Sequence, residues 1–155
     1  MSASFTFRPA LVACGLLLAL TLTSCHFNSA RTNREEDKQM AEEFMLDYFS
    51  NQQMGKTKAN LRLYSKQFWE VTPREKMEQL LRKRDQLLGQ LKSTEVGEWQ
   101  TVVVSGSDPS SKYQLRYKNK YEEGNAVETF TMQREGPNDS IRIMSYNISS
   151  DVFLR

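Results

Sequence analysis

Residues 113–121 read YQLRYKNKY, a run in which large apolar or aromatic side chains alternate with polar and charged ones. A period of two is typical of a β-strand that packs one face on a core and leaves the other in water. The run therefore predicts an amphipathic strand whose inward positions are Tyr113, Leu115, Tyr117 and Tyr121.

Similar segments lie on both sides of this strand. Residues 99–104 precede it, and residues 126–134 and 140–148 follow it, after turn sequences at 123–125 (EGN) and 136–139 (GPND). Short turns between strands favour antiparallel pairing. The second half of the chain thus predicts four antiparallel strands.

The first half has helical periodicity. Apolar residues recur every three or four positions over 35–54, then over a short helix at 59–69. Thr72 and Pro73 have the residue types of a helix start, and an apolar face follows from Met77 to Leu91, with Gly89 near the helix end. Helices followed by antiparallel strands predict an α+β domain over 35–155, in which helices pack on one face of a curved four-stranded sheet.

The N-terminus has the pattern of an export signal. Arg8 is its one charged residue before position 25, and residues 9–22 form an apolar run. This run is shorter than the roughly 20 apolar residues of a spanning helix. It ends at Leu22, Thr23, Ser24 and Cys25, which resembles the lipobox of bacterial lipoproteins.

The resemblance implies cleavage before Cys25 and acylation of its thiol and new amino group, so that residues 1–24 are a signal peptide. Residues 25–34 are then the lipidated N-terminus and a polar tether. An ordinary signal peptide with an incidental cysteine, or a signal anchor, is the alternative. We expect the lipid anchor to attach the protein to a membrane, which is then its partner, and we expect the protein to lie in the bacterial cell envelope. His26 stands where an aspartate would retain an inner-membrane lipoprotein, which favours an outer-membrane site facing the periplasm in a cell with two membranes.

Five segments together resemble small bacterial lipoproteins whose domain is similar to the nuclear transport factor two-like, or cystatin-like, superfamily. In chain order the segments are Phe68-Trp69, Leu88-Gly89, residues 113–117, residues 128–131 and residues 145–148. The resemblance implies a cone-like α+β fold with a pocket between helices and sheet. That superfamily includes ketosteroid isomerase, dehydratases and many proteins without catalytic activity, so fold alone does not assign a function.

Composition excludes several functional classes. The chain has 155 residues and a formal net charge of +2, so we expect no nucleic-acid partner. His26 is its single histidine and follows Cys25 on the tether. We therefore expect no catalytic residues of the histidine type, no metal site and no cofactor.

Three residues remain as candidates for lining a pocket. Glu128 shares strand parity with the apolar positions of 126–132, Arg84 falls on the apolar face of its helix, and Tyr117 lies on the inward parity of its strand. One hypothesis is a structural pairing of Glu128 with Arg84, and the other is a pocket acid with a raised pKa. Glu42, Glu43 and Asp47 lie off the apolar stripe of the first helix, as a solvated face does.

We expect a non-catalytic module that binds a small apolar ligand or an envelope protein. The alternative is an isomerase or dehydratase that uses an inward acid such as Glu128.

Overall fold

The computed structural model describes residues 28–136 and 138–154, which fold as an α+β domain with the helices ahead of most of the sheet. The helices are α1 (Glu35–Gln53), α2 (Thr57–Leu61), α3 (Lys66–Val71) and α4 (Arg74–Leu88). The strands are β1 (Asn28–Thr32), β2 (Leu91–Gly106), β3 (Ser110–Tyr121), β4 (Asn125–Glu135) and β5 (Ser140–Ser149), and a 3₁₀ helix follows at Asp151–Leu154. Every strand pairs antiparallel with its neighbour in the chain, in an open sheet of order β1-β2-β3-β4-β5.

The core lies between α1, α4 and one face of the sheet. The inward positions of β3 and β4 are buried, as their alternation predicts, and they meet the buried stripe of α1. The rings of Tyr48 and Phe49 from α1 pack edge-to-face against Phe130 of β4, with centroids 5.0 and 5.9 Å apart. These contacts fix α1 across the sheet. None of the described helices is both long and apolar enough to cross a bilayer.

The sheet has five strands rather than four, because residues 28–32 of the predicted tether form β1. They pair with Val102–Gly106 of β2, and all five are exposed. An edge strand is held by main-chain hydrogen bonds, so it needs no apolar periodicity. A polar sequence is therefore equally consistent with a tether and with an exposed edge strand such as β1.

The helical region is divided differently from the prediction. The helix expected over 59–69 is two helices, because residues 63–65 turn to meet β5: Ile143 donates to Leu63 O and Ser65 donates to Ile143 O, both at 2.9 Å. Ser65 then caps α3 by accepting from the backbone N–H of Phe68.

The start and end of α4 also differ from the prediction. Thr72 ends α3 instead of capping α4, whose N-cap is Pro73 without a side-chain bond. Gly89 ends α4 as expected, with φ 72° and ψ −155°, a conformation that is essentially confined to glycine. Leu91, predicted on the helix, is therefore the first residue of β2 and packs in the core.

Candidate functional site

The carboxylate of Glu128 lies in the core and is surrounded by hydrogen-bond donors. The side chain is 0 % exposed. Asn119 Nδ2 donates to its Oε1 at 2.7 Å, the hydroxyl of Tyr121 donates to the same oxygen, and the hydroxyl of Tyr146 donates to Oε2 at 2.7 Å. A buried carboxylate whose two oxygens accept from three donors is already solvated by the protein.

Arg84 supplies the positive charge beside it. The guanidinium is 3 % exposed, and its Nη1 lies 3.8 Å from Glu128 Oε2. Nε and Nη2 both donate to Asp85 Oδ1, at 2.9 and 2.8 Å. Arg84 thus lies between a buried carboxylate and one at the surface. Burial disfavours the charged guanidinium, but the oxygens around it, those of Tyr48, Tyr146 and Glu128 among them, favour the charged form more strongly and raise the pKa of Arg84.

The tyrosines around this pair are held neutral. Burial is the main cause that raises the pKa of Tyr48, Tyr64, Tyr121 and Tyr146, and the charge of Glu128 raises each of them further. Gln52 on α1 donates to the hydroxyl of Tyr121 at 2.8 Å, which leaves the tyrosine proton directed at Glu128. We call this set of residues the Glu128 network: Glu128, Arg84, Asp85, Gln52, Asn119, Tyr48, Tyr64, Tyr121 and Tyr146.

Tyr117 makes different contacts from the Glu128 network, although it is adjacent in register. It pairs with Glu128 across β3 and β4, but it makes none of the hydrogen bonds of the Glu128 network. Its ring packs on Phe49 with centroids 4.8 Å apart. The three candidate residues therefore separate into a buried pair, Glu128 with Arg84, and a tyrosine that faces another space.

That space is a surface groove between α1 and the strands β2 and β3, which we call the α1 groove. It has a volume of about 390 Å³ and is lined by Gln39, Glu42, Glu43, Leu46, Phe49, Thr94, Val96 and Tyr117. The volume is in the range of small-molecule sites. Tyr117 is 4 % exposed and Leu46, at the rim, is 65 % exposed. Among the described residues, no side chain or backbone group forms a hydrogen bond with the Tyr117 hydroxyl.

The rim of the α1 groove carries negative charge. Within residues 28–136 and 138–154, no lysine or arginine forms a salt bridge with Glu42 or Glu43. Burial raises the pKa of Tyr117, and the charge of Glu42 raises it further. The field of Glu42 thus reaches the groove floor. The solvated face predicted for α1 is, at these two positions, the edge of a cavity.

Neither Glu128 nor Arg84 lines the α1 groove, and neither lines any of four further surface cavities of about 270 to 560 Å³ in the described part of the chain. A proton donor or acceptor must come within hydrogen-bond reach of the atom it serves. Glu128 is therefore enclosed in the core, whereas the α1 groove is open to solvent and lacks this acid.

Sequence reasoning missed most partners of Glu128. Asn119 and Tyr121 share the inward parity of β3, and Tyr146 is two residues along β5 from the position that pairs with Glu128. An inward asparagine beside inward tyrosines was a usable signal for a polar core. Tyr48 and Gln52 could not be assigned, because their proximity depends on how α1 crosses the sheet.

The residues predicted for lipidation and signal cleavage, Cys25 and Leu22, Thr23 and Ser24, lie outside the described residues. Comparison of the chain with protein-family models, with curated proteins and with solved structures found no match.

Proposed function

We propose that this protein is a lipid-anchored lipoprotein of the bacterial cell envelope whose domain binds a small, largely apolar molecule in the α1 groove without transforming it. The observation that carries the choice of binding over catalysis is the enclosure of Glu128. Its oxygens accept from three donors of the protein, so the acid is committed to the core rather than to a substrate.

The groove supports the binding half of the proposal. Leu46, Phe49 and Val96 give it apolar surface, and Tyr117 offers a polar group. An apolar cavity with a few polar groups is the usual composition of a small-molecule site. An isomerase or dehydratase would instead need its acid to face the cavity, so this alternative is disfavoured.

The anchor rests on the sequence from Leu22 to Cys25 and on the apolar run before it. We propose that signal peptidase cleaves before Cys25 and that several acyl chains then hold the domain on the membrane. Each buried CH₂ contributes roughly 0.8 kcal/mol, so two or more chains make the attachment durable. In a cell with two membranes, the proposed location is the outer membrane, with the domain in the periplasm.

A cone-like relationship to the nuclear transport factor two-like superfamily is part of the proposal. Its support is the order of helices before strands, the position of α1 across the sheet, and the register shifts in β2 at Leu91/Ser93 and Val96/Trp99. Such bulges bend a strand and increase its twist.

The test is intact-mass analysis of the protein purified from its own membranes, with organic extraction of co-purifying molecules. The proposal expects cleavage before Cys25, an added diacylglycerol mass and a small molecule whose recovery falls when Tyr117 or Leu46 is replaced by alanine. An acylated protein that yields no molecule, and instead holds an envelope protein, would replace the small ligand by a protein partner. An uncleaved or unacylated chain would overturn the envelope location.

A further inference from the structure

The lining of the α1 groove contains carboxylates that have no cation beside them. Of the carboxylates on α1, those of the first turn have one: Glu35 pairs with Lys38 at 2.9 Å, Glu36 with Arg34 at 2.7 Å and Asp37 with Arg31 at 3.5 Å. In the described part of the chain, Glu42 and Glu43 have no such partner.

Lys38, one turn before Glu42, offsets only part of the charge of the rim: its hydrogen bond to Glu35 is the main cause that raises its pKa, and the charge of Glu42 raises that pKa further. Its ammonium bonds Glu35 and lies over the ring of Trp99, 5.4 Å from the centroid. The groove-lining residues of β2 and β3 are Thr94, Val96 and Tyr117, none of which is a cation. The lining therefore carries two negative charges and no positive one.

The floor adds a second, independent feature. Tyr117 is more than nine-tenths buried, lines the groove, and has a hydroxyl for which the described residues supply no hydrogen-bond partner. Its ring and that of Phe49 form an edge-to-face pair. Both rings are only 4 % exposed, so they form an apolar floor for the body of a ligand, while the carboxylates at the rim attract a positive charge.

We propose that the α1 groove selects an amphipathic organic cation, with an ammonium head at Glu42 and Glu43 and an apolar body on Phe49, Val96 and Leu46. This rests on the proposed function, since it names the ligand class of the same groove. The Tyr117 hydroxyl accepts or donates one hydrogen bond to the ligand at the boundary between head and body. An anionic amphiphile is rejected because its head would meet two carboxylates and no cation in the groove lining.

The test uses three short probes with the same tail: hexyltrimethylammonium, 1-hexanol and hexanesulfonate. Short tails avoid micelles and strong partition into the membrane. Binding to the full acylated protein in nanodiscs of neutral lipid is measured by calorimetry, with empty nanodiscs subtracted. We expect the cation to bind at least tenfold more tightly than the alcohol, and the sulfonate to bind least. We also expect affinity for the cation alone to fall as salt is added.

Variants separate charge from shape. Glu42→Gln with Glu43→Gln should weaken cation binding about tenfold and leave the alcohol unchanged, since one half-buried and one exposed charge are removed. The matched control, Glu70→Gln with Glu123→Gln, makes the same change in net charge at exposed positions away from the groove and should leave cation binding within twofold. Leu46→Ala should weaken the cation and the alcohol alike.

The outcomes distinguish the two proposals. If alcohol or sulfonate binds as tightly as the cation, and Leu46→Ala weakens it, the cation preference is wrong and the small-ligand function stands. If the Glu42 and Glu43 double variant matches its control, the preference is likewise wrong. If no probe binds, both the preference and the groove as ligand site are overturned.

Discussion

Replacing Glu128 by glutamine should destabilise the domain by about 3–5 kcal/mol, the usual cost of removing one partner of a buried ion pair. The change keeps the shape of the side chain and removes its charge. Asn119 and Tyr121 both donate to Oε1, so the amide oxygen is expected to take that place. The amide nitrogen then replaces Oε2, next to Arg84 Nη1, and two donors face each other across what was a 3.8 Å ion pair.

The magnitude follows from the contacts. Two hydrogen bonds to a charged acceptor, from Asn119 and Tyr121, are worth roughly 1.5–3 kcal/mol each and become neutral ones worth about 1 kcal/mol. The Tyr146 hydroxyl, which donated to Oε2, must turn to accept from the amide nitrogen and loses a charged acceptor as well. Arg84 also loses a counter-charge at a site where it is 3 % exposed, although Asp85 continues to bind it. Together these losses reach the predicted range without any contribution from packing.

The assay is urea unfolding of the purified protein at neutral pH, followed by circular dichroism, with Glu123→Gln as an exposed control expected within about 0.5 kcal/mol of the parent. Adding Arg84→Met to Glu128→Gln should cost less than the sum of the two single changes, because the residues share one interaction. The reasoning is refuted if Glu128→Gln unfolds at the parent midpoint or if the two changes add. A variant that folds normally yet loses a defined turnover would instead restore the enzyme hypothesis.

Three further perturbations test other features. Gly89→Ala should lower the free energy of unfolding by about 2–3 kcal/mol, because its backbone conformation is nearly confined to glycine and because a Cβ would lie 2.9 Å from atoms of Glu122. Gly55 also has a positive φ but has open space around it, so Gly55→Ala should lower the free energy by only about 1 kcal/mol in the same urea titration. Above about pH 10 the stability of the fold should fall, because tyrosines ionise in the unfolded chain while burial keeps them neutral in the folded one. The stability that depends on these neutral tyrosines is complete below the pKa of tyrosine in the unfolded chain, and above that pKa each such tyrosine lowers it by up to about 1.4 kcal/mol per pH unit. Tyrosinate absorbance and circular dichroism should then change together, whereas ionisation well before unfolding would contradict the burial argument. Cys25→Ser should leave the chain without an acyl group, as intact mass would measure, and any cleaved chain should leave the membrane fraction; a cleaved variant that still carries an acyl mass, or that stays in the membrane fraction, would refute the anchor at Cys25.

Local periodicity was sufficient for the parts of the fold that bury one face. The alternation in β3 and β4 and the stripe of α1 each reflect burial, so their elements and inward residues could be predicted. The same parity placed Glu128 in the core, and helical spacing placed Arg84 on the facing stripe. The pairing of Glu128 with Arg84, whose charged groups lie 3.8 Å apart, was one of the two hypotheses that the sequence left open.

The remaining features depend on tertiary contacts that leave no local pattern. Strand β1 has no buried residue, and the break before α3 is caused by hydrogen bonds to Ile143, about 80 positions away. The α1 groove is formed by residues from three elements that meet only after folding. Glu42 and Glu43 are ordinary surface residues in the sequence, and only the neighbouring strands make them a rim.

The two free edges of the sheet have a consequence for crowding. An uncovered strand edge can recruit another copy of the chain, and β2 has a Val102-Val103-Val104 sequence that would favour such growth. Strand β1 occupies that edge with polar, exposed residues, and residues 63–65 occupy part of the β5 edge. If the domain is anchored to a membrane as proposed, its copies would collide more often than in solution, and we expect this coverage to limit strand-to-strand polymerisation there. Proteolytic removal of residues 28–32 should therefore convert a dispersed protein into one that aggregates through β2.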